Sequence, residues 1–218
     1  MAISAYVIAA MCGCWNRESG MNPGIWESLI PCAWDFQYDY TGKGGFGLGQ
    51  WTNVGTQHGR CYNLHTWVTQ NGYADGDGNG QIAFMMHEAY WTARNSVMGY
   101  SSLNEFLAST STDLDLLVRE FLACWEGVPG NALAERQRYA RDFYAYLQQH
   151  WSDDSSQYTW VSGNFYTSQA QRYNNLMCAY FALIDNPVPP GPGPGPGPAG
   201  YLLWGGIRDV LRRLIIHA

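Results

Sequence analysis

The sequence feature that most constrains the fold is an N-terminal stretch without a polar face. From Ile3 to Glu18 the chain is apolar on nearly every side of a helix. A helix of this kind is stable only when other elements enclose it. Gly20 and Pro23 then end the helical pattern. About a dozen apolar residues are too few to cross a bilayer, so we expect a buried central helix.

The same stretch does not have the pattern of a signal peptide. It lacks a basic n-region and an A-x-A cleavage site, and it continues directly into Asn16, Arg17 and Glu18. The chain has a net charge of −6, which argues against nucleic acid as a partner. Hydrophobic residues make up 46% and charged residues 14%, as expected for a packed core.

Cysteine usage does not indicate a disulfide framework. Cys12 and Cys14 are two residues apart on a predicted helix, so they point to different faces and cannot bridge there. In a chain of 218 residues an even count of six does not imply disulfides. We expect most of them to be small buried hydrophobic residues.

The remainder of the chain predicts a mainly α fold with a small loop and β-hairpin region. Residues 21–80 are rich in Gly, Asn, Asp and Trp, and a hairpin is expected around 44–47. Helical stripes follow, with caps expected at 111–113, at Asn131 and, as a capping box, at Ser168 with Gln171. The stripes run through 82–93, 114–125, 140–147 and 173–184.

Composition divides the chain into four expected units. Residues 1–151 are the expected main domain, and residues 152–185 are expected to form a connection and a helix that packs onto it. Residues 186–200 form a Pro/Gly linker, which has no means of packing as helix or strand. Residues 201–218 are an expected amphipathic helix, whose apolar stripe is opposite three arginines. The stripe consists of Ile207, Val210, Leu211, Leu214 and Ile215.

Glu18 is the candidate for acid catalysis. Cleavage of a glycosidic bond needs a carboxylic acid that stays protonated, and an apolar environment provides this by raising the pKa. Glu18 ends an apolar helix beside Trp15 and precedes a Gly-containing turn. Taken alone, a Glu at a helix end is more often a solvated surface residue.

Two stretches change that balance: Glu18-Ser-Gly-Met-Asn-Pro23 and Gly45-Phe-Gly-Leu-Gly-Gln-Trp-Thr52. They resemble the signature stretches of lysozyme-like and lytic transglycosylase domains, and the second is most similar to the phage tail lysozyme family. Later features also agree with that family: the helix that leads from Gln81 towards Glu88, the stretch 121–130, and the sequence Arg138-Tyr139-Ala140. The resemblance covers about residues 3–150. It implies that Glu18 is the acid and that the second stretch lines the opposite wall of a sugar cleft.

The second stretch has the composition of a sugar-binding turn. Its glycines allow close approach of the backbone, Gln50 offers a donor and an acceptor, and Trp51 offers a stacking face. A plain Gly-rich turn would account for the glycines but not for Gln-Trp. The expected substrate-binding residues are Gly47, Leu48, Gly49, Gln50, Trp51 and Thr52.

Asp35 and Asp39 are the candidates for a second catalytic group. Both lie between the two stretches, where a base or a partner for an oxocarbenium-like transition state would be placed. Loop aspartates more commonly cap turns. If neither reaches the cleft, a single-acid lytic transglycosylase is the better interpretation, with Gln50 or Thr52 placing the substrate.

No metal or cofactor is expected. Residues 75–80 (DGDGNG) resemble the opening of a calcium loop, but Met86 occupies the position of its bidentate Glu, and a helix cap explains the pattern. A second metal candidate, with suitable spacing, consists of His58, Cys61 and His65, but it has no evident fourth ligand. Arg60, which lies between them, instead matches an arginine of the resembled family.

The helix at 168–184 departs from the family order. Its residues 168–171, Asn174-Asn175 and Tyr180 resemble the helix that usually precedes the catalytic helix, which suggests a circular permutation. An unrelated accessory helix is the alternative. For residues 201–218 we expect docking on phage tail proteins, with an anionic membrane surface as the other partner considered.

The function expected from these features is cleavage of peptidoglycan glycan strands by a virion protein that acts from the tail in the host envelope. The bond is the one between N-acetylmuramic acid and N-acetylglucosamine. Three alternatives stay open: a lytic transglycosylase, a non-catalytic tail plug or wall-binding module, and a membrane-active peptide fused to a carrier.

Overall fold

The computed structural model describes residues 3–30, 44–53 and 59–185. This part of the chain is mainly helical with one small hairpin, which confirms the predicted mainly α, lysozyme-like fold class. The hairpin consists of β1 (Gly45–Phe46) and β2 (Trp51–Thr52). The helices are α1 (Ala5–Ser19), α2 (Arg60–Gln70), α3 (Gly78–Glu88), α4 (Leu103–Leu107), α5 (Leu114–Phe121), α6 (Leu133–His150) and α7 (Gln169–Asp185).

Helix α1 is the buried centre that its composition predicts. Its residues from Val7 to Asn16 are all buried. Ser4 caps the N-terminus by accepting a hydrogen bond from the Val7 N–H, and Gly20 ends the helix in the left-handed conformation with φ 61°. Because α5, α6 and α7 all pack against it, the apolar surface of α1 is enclosed on several sides.

Helices α1 and α6 cross closely at Gly13. A Cβ added at Gly13 would lie 2.8 Å from the Cβ and backbone nitrogen of Ala140 and 2.8 Å from the carbonyl oxygen of Arg136. Two of these three neighbours are backbone atoms, which cannot move aside cheaply. Gly13 therefore allows the two backbones to come close, and this contact sets where the side chains of α6 meet the end of α1.

The hairpin follows the second signature stretch. Phe46 pairs with Trp51 and Gly45 with Thr52 in an antiparallel register, and Trp26 makes an isolated bridge to Phe46. The expectation of a short hairpin near residues 44–47 is confirmed. The four-residue turn between the strands carries the Gly-Leu-Gly-Gln sequence.

Several helix boundaries differ from the sequence-based expectation. The region 21–80 was expected to be mostly loop, yet it contains α2 and the start of α3. Helix α3 ends at Glu88 because Ala89 takes a left-handed conformation, so the expected stripe through Ala93 was wrong. Asn131 does not cap α6, which begins after Ala132 at φ 48°. These ends are set by tertiary contacts, which single-residue propensities do not report.

Helix α5 continues into a π-helical segment, Leu122–Glu126. Asp113 caps α5 by accepting from the Leu116 N–H, as the sequence predicts. Short π segments inside helices are frequently found at functional sites, and the extra residue redirects the side chains that follow. Here the side chains so placed are those of Trp125 and Glu126.

Helix α7 packs on the other elements rather than standing apart. The capping box is confirmed, since the Gln171 N–H donates to Ser168 Oγ and the Ser168 N–H to Gln171 Oε1. The side-chain amide of Asn175 is buried and donates to the carbonyls of Met21 and Val161 at 2.9 and 2.7 Å. Seven further buried residues lie on α7: Leu176, Met177, Cys178, Ala179, Phe181, Ala182 and Leu183.

Other expectations concern cysteines, membranes and the C-terminal segments. Cys12, Cys14, Cys61, Cys124 and Cys178 are buried, as expected for small hydrophobic residues; Cys32 lies outside the described residues. Within 3–30, 44–53 and 59–185 no helix has the length and apolarity needed to cross a membrane. The Pro/Gly linker and the helix at 201–218 also lie outside the described residues.

The packing of α7 leads to a prediction about truncated chains. A chain that ends after residue 185 should remain folded, whereas one that ends after 165 should aggregate or unfold at a much lower temperature. Each large apolar side chain of α7 contributes about 1.5–3 kcal/mol of burial, and their sum approaches the whole stability of a domain. Thermal unfolding of the two purified chains measures this. Equal unfolding midpoints would show that α7 is dispensable.

Candidate active site

Glu18 lies in the last turn of α1 and forms an ion pair with Arg136 of α6. Its side chain is 23% exposed, whereas that of Arg136 is 2% exposed. The pair is thus buried on one side and open on the other. The carboxylate is held in place by an arginine that is itself fixed in the core.

Arg136 is immobilised by three hydrogen bonds. Its Nη2 donates to Glu18 Oε1, its Nη1 to the carbonyl of Cys14 at 3.0 Å, and its Nε to the carbonyl of Asn131 at 3.0 Å. Burial opposes the charge of this guanidinium, but the charge interactions with Glu18, Cys14 and Glu126 and the hydrogen bond to Glu18 together outweigh it, so the pKa of Arg136 is raised. A guanidinium bound to two main-chain carbonyls offers its remaining donors in a fixed direction.

The turn after Glu18 is strained and is held by the C-terminal half of the domain. Gly20 and Met21 both have φ 61°, a conformation that costs free energy for a residue with a side chain such as Met. Thr167 Oγ1 donates to the carbonyl of Gly20 at 2.6 Å, and Asn175 donates to that of Met21. Asn22 donates through its Nδ2 to the carbonyls of Gly163 and Phe165, both at 2.7 Å.

The hairpin turn is built mainly by contacts within the protein. A Cβ at Gly47 would lie 2.4 Å from Oε1 of Gln81, and one at Gly49 would lie 2.2 Å from the ring of Trp125. The Leu48 N–H donates to Gln81 Oε1 at 2.8 Å, and the Leu48 side chain is buried. The glycines and Leu48 are therefore explained by packing, which differs from the expected approach of the backbone to a sugar.

The position of Trp51 is likewise explained by packing. Its side chain is only 1% exposed, and its ring packs edge-on against Trp125 at a centroid distance of 5.4 Å. In this conformation the ring presents no face to a sugar, and the stacking role expected for Trp51 stays a prediction. Gln50 and Thr52 keep partial exposure, although both hydrogen-bond internally: Gln50 to the carbonyl of Gly47, and Thr52 to that of Gln50.

Trp125 connects α1 to the hairpin. Its ring lies 6.3 Å from Trp15 of α1 and 5.4 Å from Trp51, and Gly49 packs on its edge. Arg60 of α2 places its guanidinium carbon 4.8 Å from the centre of the Trp125 ring. The two signature stretches, far apart in sequence, are thus joined through one tryptophan.

Arg60 is itself held by a second carboxylate. It donates to both oxygens of Glu88 at 2.7 and 2.8 Å in a bidentate pair, and Trp51 Nε1 donates to the same carboxylate at 3.4 Å. Gln81, on the same helix as Glu88, donates to the carbonyls of Pro23 and Asp75. Helix α3 therefore fixes both the hairpin and the turn after Glu18.

Glu126 is the second carboxyl group that the structure brings near Glu18. Burial, followed by the charge of Glu18, raises the pKa of Glu126 well above its usual range, while Arg136 and Arg60 act in the opposite direction. Its Oε1 is buried and has no hydrogen-bond partner among the described residues. Three other buried atoms nearby also have no hydrogen-bond partner among the described residues: Trp15 Nε1, Asn16 Oδ1 and Trp125 Nε1. Unsatisfied buried polar groups are rare, so their concentration at these two chain segments marks the site.

Asp35 and Asp39 lie outside the described residues, so their catalytic role stays a prediction. The residues considered for metals have protein partners instead. His65 pairs with Asp75 at 2.7 Å, and Asp77 caps α3 by accepting from the Asn79 N–H; His58 lies outside the described part. Across the described ranges no group of three or more His, Cys, Asp or Glu side chains is arranged to hold a metal ion.

Sequence reasoning did not place Arg136, Arg60 or Glu126 in the site, although it noted that Arg60 matches an arginine of the resembled family. It noted Arg138-Tyr139-Ala140 as a family feature, but Arg138 is 57% exposed and pairs with Asp142, whereas the buried partner of Glu18 is Arg136. One sequence pattern would have helped: Arg136 lies one helical turn before Ala140, on the face of α6 that turns inward. The Trp125-Glu126-Gly127 stretch was noted, but only as a family feature.

The fold is mainly α, and a carboxylate at the end of its buried helix is held by one buried arginine. The same helix is linked to a Gly-rich hairpin. Together these features define a lysozyme-like protein. Comparison with known families agrees: the family model described as phage tail lysozyme matches residues 2–147. The chain belongs to the phage tail lysozyme family. No curated protein matches it at a significant level.

Membership assigns the chain its general activity. It is a lysozyme-like enzyme that degrades peptidoglycan and is associated with a phage tail. Helix α7 and the connection before it lie beyond the matched residues. These added elements nevertheless hold the turn after Glu18.

The close crossing at Gly13 leads to a prediction for Gly13→Ala. The methyl group would push α6 away from α1 and displace Arg136 from Glu18, so wall-degrading activity should fall roughly 10- to 100-fold. Stability should change less, because overpacking costs about 1–3 kcal/mol and the gain in helix propensity offsets about 1 kcal/mol. Lysis rates and urea unfolding measure the two effects.

Gly99→Ala is the matched control for this substitution. Gly99 has φ 84°, and a Cβ there meets nothing within 4 Å, so the cost is backbone strain alone. This variant should lose stability but keep its activity. If Gly13→Ala kept wild-type activity, the crossing would not be what positions the ion pair.

Proposed function

We propose that the protein cleaves the glycan strand between N-acetylmuramic acid and N-acetylglucosamine, with Glu18 as the general acid, during phage entry from the tail. The observation that carries this proposal is the placement of Glu18. Its carboxyl group is at the end of a buried helix, partly exposed, and fixed by a buried arginine. Family membership supports the substrate, and this geometry supports the residue.

The chemistry assigns one role to each partner of the ion pair. Glu18 donates a proton to the glycosidic oxygen as the bond to the anomeric carbon breaks, and the leaving sugar departs as an alcohol. The carboxylate that this step leaves on Glu18 is stabilised by Arg136, which already donates to it. Gln50 and Thr52, the partly exposed residues of the hairpin stretch, are proposed to contact the sugar.

How the second step proceeds decides between two enzyme types. In a hydrolase, water attacks the anomeric carbon, and Asp35 or Asp39 is proposed to assist it. In a lytic transglycosylase, the 6-hydroxyl group of the same sugar attacks and forms a 1,6-anhydro ring, with Glu18 as the only acid. We favour hydrolysis, and the products distinguish the two types.

Two further proposals concern the segments after the catalytic domain. We propose that α7 is the helix that precedes the catalytic helix in the family, displaced by circular permutation; its bonds to Met21 and Val161 are consistent with such a role. We propose that residues 201–218 dock on a phage tail protein through their apolar stripe, at the distance set by the Pro/Gly linker.

Glu18→Gln tests the assignment of the acid. The amide has the same shape and accepts the hydrogen bond from Arg136, but it has no proton to donate, so activity should fall by about 10²–10⁴-fold or more. Turbidity loss of purified cell walls measures the rate, and circular dichroism checks the fold.

The control for this test is Glu135→Gln. Glu135 lies on α6 and pairs with Arg17 near the same helix end, but its side chain is 41% exposed. Exposed pairs contribute little, so this variant should clear walls at the wild-type rate. Wild-type-like clearing by Glu18→Gln would overturn the assignment.

A further inference from the structure

The turn that follows Glu18 has a backbone form that its own sequence does not favour. It runs from Ser19 to Asn22, and the Asn22 N–H donates to the Ser19 carbonyl at 3.2 Å. Both central residues, Gly20 and Met21, have φ 61°, and two positive φ values define a type I′ turn. This turn type normally takes Gly, Asn or Asp at its central positions, because other side chains are strained there. Met21 is therefore held in a strained conformation.

A different form of the same turn would relieve this strain. In a type II′ turn only the first central residue has positive φ, and Gly is the residue preferred there. The pair Gly20-Met21 fits that form, with Met21 at negative φ. The two forms differ by a rotation of the peptide unit between these residues, which reverses the direction of the Gly20 carbonyl. A contact from outside the turn must therefore hold this carbonyl in its present direction.

Thr167 makes that contact. Its Oγ1 donates to the Gly20 carbonyl oxygen at 2.6 Å, and the Nε of Arg172 donates to the same hydroxyl at 3.4 Å. Thr167 is only 5% exposed, so water competes poorly for the bond. Reversal of the carbonyl would break this bond and leave a buried hydroxyl without its acceptor, which costs free energy. The hydroxyl of Thr167 thus opposes the relaxation that the strain at Met21 favours.

The turn is also the covalent connection between Glu18 and the hairpin. On one side it begins one residue after Glu18. On the other side it leads to Pro23, whose carbonyl accepts from Gln81 at 2.6 Å, and to Ile25, whose carbonyl accepts from the Gly47 N–H at 3.0 Å. The path of the chain through the turn therefore sets how Glu18 lies relative to the hairpin. A misplacement of about 1 Å at a reacting group can lower a rate by about 100-fold.

We propose that Thr167 is a positioning residue for Glu18: its hydroxyl group keeps the turn in the type I′ form and thereby fixes Glu18 relative to the hairpin. The proposal rests on Glu18 being the acid, as proposed above. Thr167 lies beyond residues 2–147, the part of the chain that the family model matches. It acts on the rate through the backbone, without touching the substrate.

A graded series of substitutions at Thr167 tests this role in the full-length protein. Thr167→Ser keeps the hydroxyl donor, Thr167→Cys has a weaker thiol donor, and Thr167→Val has the same shape without a donor. On soluble glycan strands prepared from purified walls, kcat should stay near wild type for Thr167→Ser, fall for Thr167→Cys, and be about 10- to 100-fold lower for Thr167→Val. KM should change by less than about twofold, because a positioning residue does not bind the substrate. If Thr167→Val does not fold, the comparison of Thr167→Ser with Thr167→Cys decides.

Ser109→Ala is the matched control, measured at a temperature where circular dichroism shows every variant to be folded. Ser109 is also buried, and its hydroxyl bonds to that of Tyr100 at 2.7 Å and accepts from the Ser111 N–H at 3.1 Å. It follows helix α4, so its hydroxyl does not hold the turn. The substitution should lower the unfolding temperature and leave kcat within about twofold of wild type. An unchanged kcat in Thr167→Val, or an equal loss in Ser109→Ala, would overturn the proposal.

The crystal structure of the Thr167→Val protein provides a second measurement that does not depend on activity. It should show the Gly20 carbonyl reversed and Met21 at negative φ, whereas Thr167→Ser should keep the present turn. A type I′ turn in Thr167→Val would overturn the proposal. Wild-type-like clearing of walls by Glu18→Gln would instead overturn the proposed acid and leave the crystallographic result unaffected, so the two failures are distinguishable.

Discussion

The ion pair between Glu18 and Arg136 is the interaction on which the arrangement of this site depends. Arg136 is almost completely buried, and it is tolerated there because two main-chain carbonyls and one carboxylate use its donors. Removal of one partner from a buried pair typically costs about 3–5 kcal/mol, since the other charge stays behind without compensation. The pair in turn requires that α6 pass close to α1, which Gly13 permits. A glycine in the middle of a helix is usually unfavourable, and here it is explained by the close helix crossing that brings Arg136 to Glu18.

The part of the chain beyond the family match contributes to the same site. Thr167 and Asn175 hold the carbonyls of Gly20 and Met21, in a turn where both residues have positive φ. A strained turn persists only when its surroundings fix it. Helix α7 and the preceding segment therefore do more than cover apolar surface: they stabilise the direction in which the chain leaves Glu18.

The sequence predicts those features of the fold and site that depend on local patterns. The buried nature of α1, its end at Gly20, the hairpin and the capping box at Ser168 follow from residue type and spacing, and so does the choice of Glu18 as candidate acid. The partner of Glu18 does not, because Arg136 is 118 residues away and only the crossing of two helices brings it there. Trp51 shows the same limit. Its ring is compatible with either sugar stacking or a core, and only packing against Trp125 decides for the core. Glu126 is a further example, because only the folded structure shows that its Oε1 is buried without a hydrogen-bond partner among the described residues.

The central claim is that this enzyme cuts the glycan strand and that Glu18 supplies the proton. Mass spectrometry of the products released from purified peptidoglycan tests it most directly, with the wild type and Glu18→Gln incubated in parallel. The account predicts shortened glycan strands that end in reducing N-acetylmuramic acid for the wild type and none for the variant. Strands that end in 1,6-anhydro-N-acetylmuramic acid would show that the enzyme is a lytic transglycosylase and not a hydrolase. Glycan strands of unchanged length, with or without cut peptides, would contradict the account.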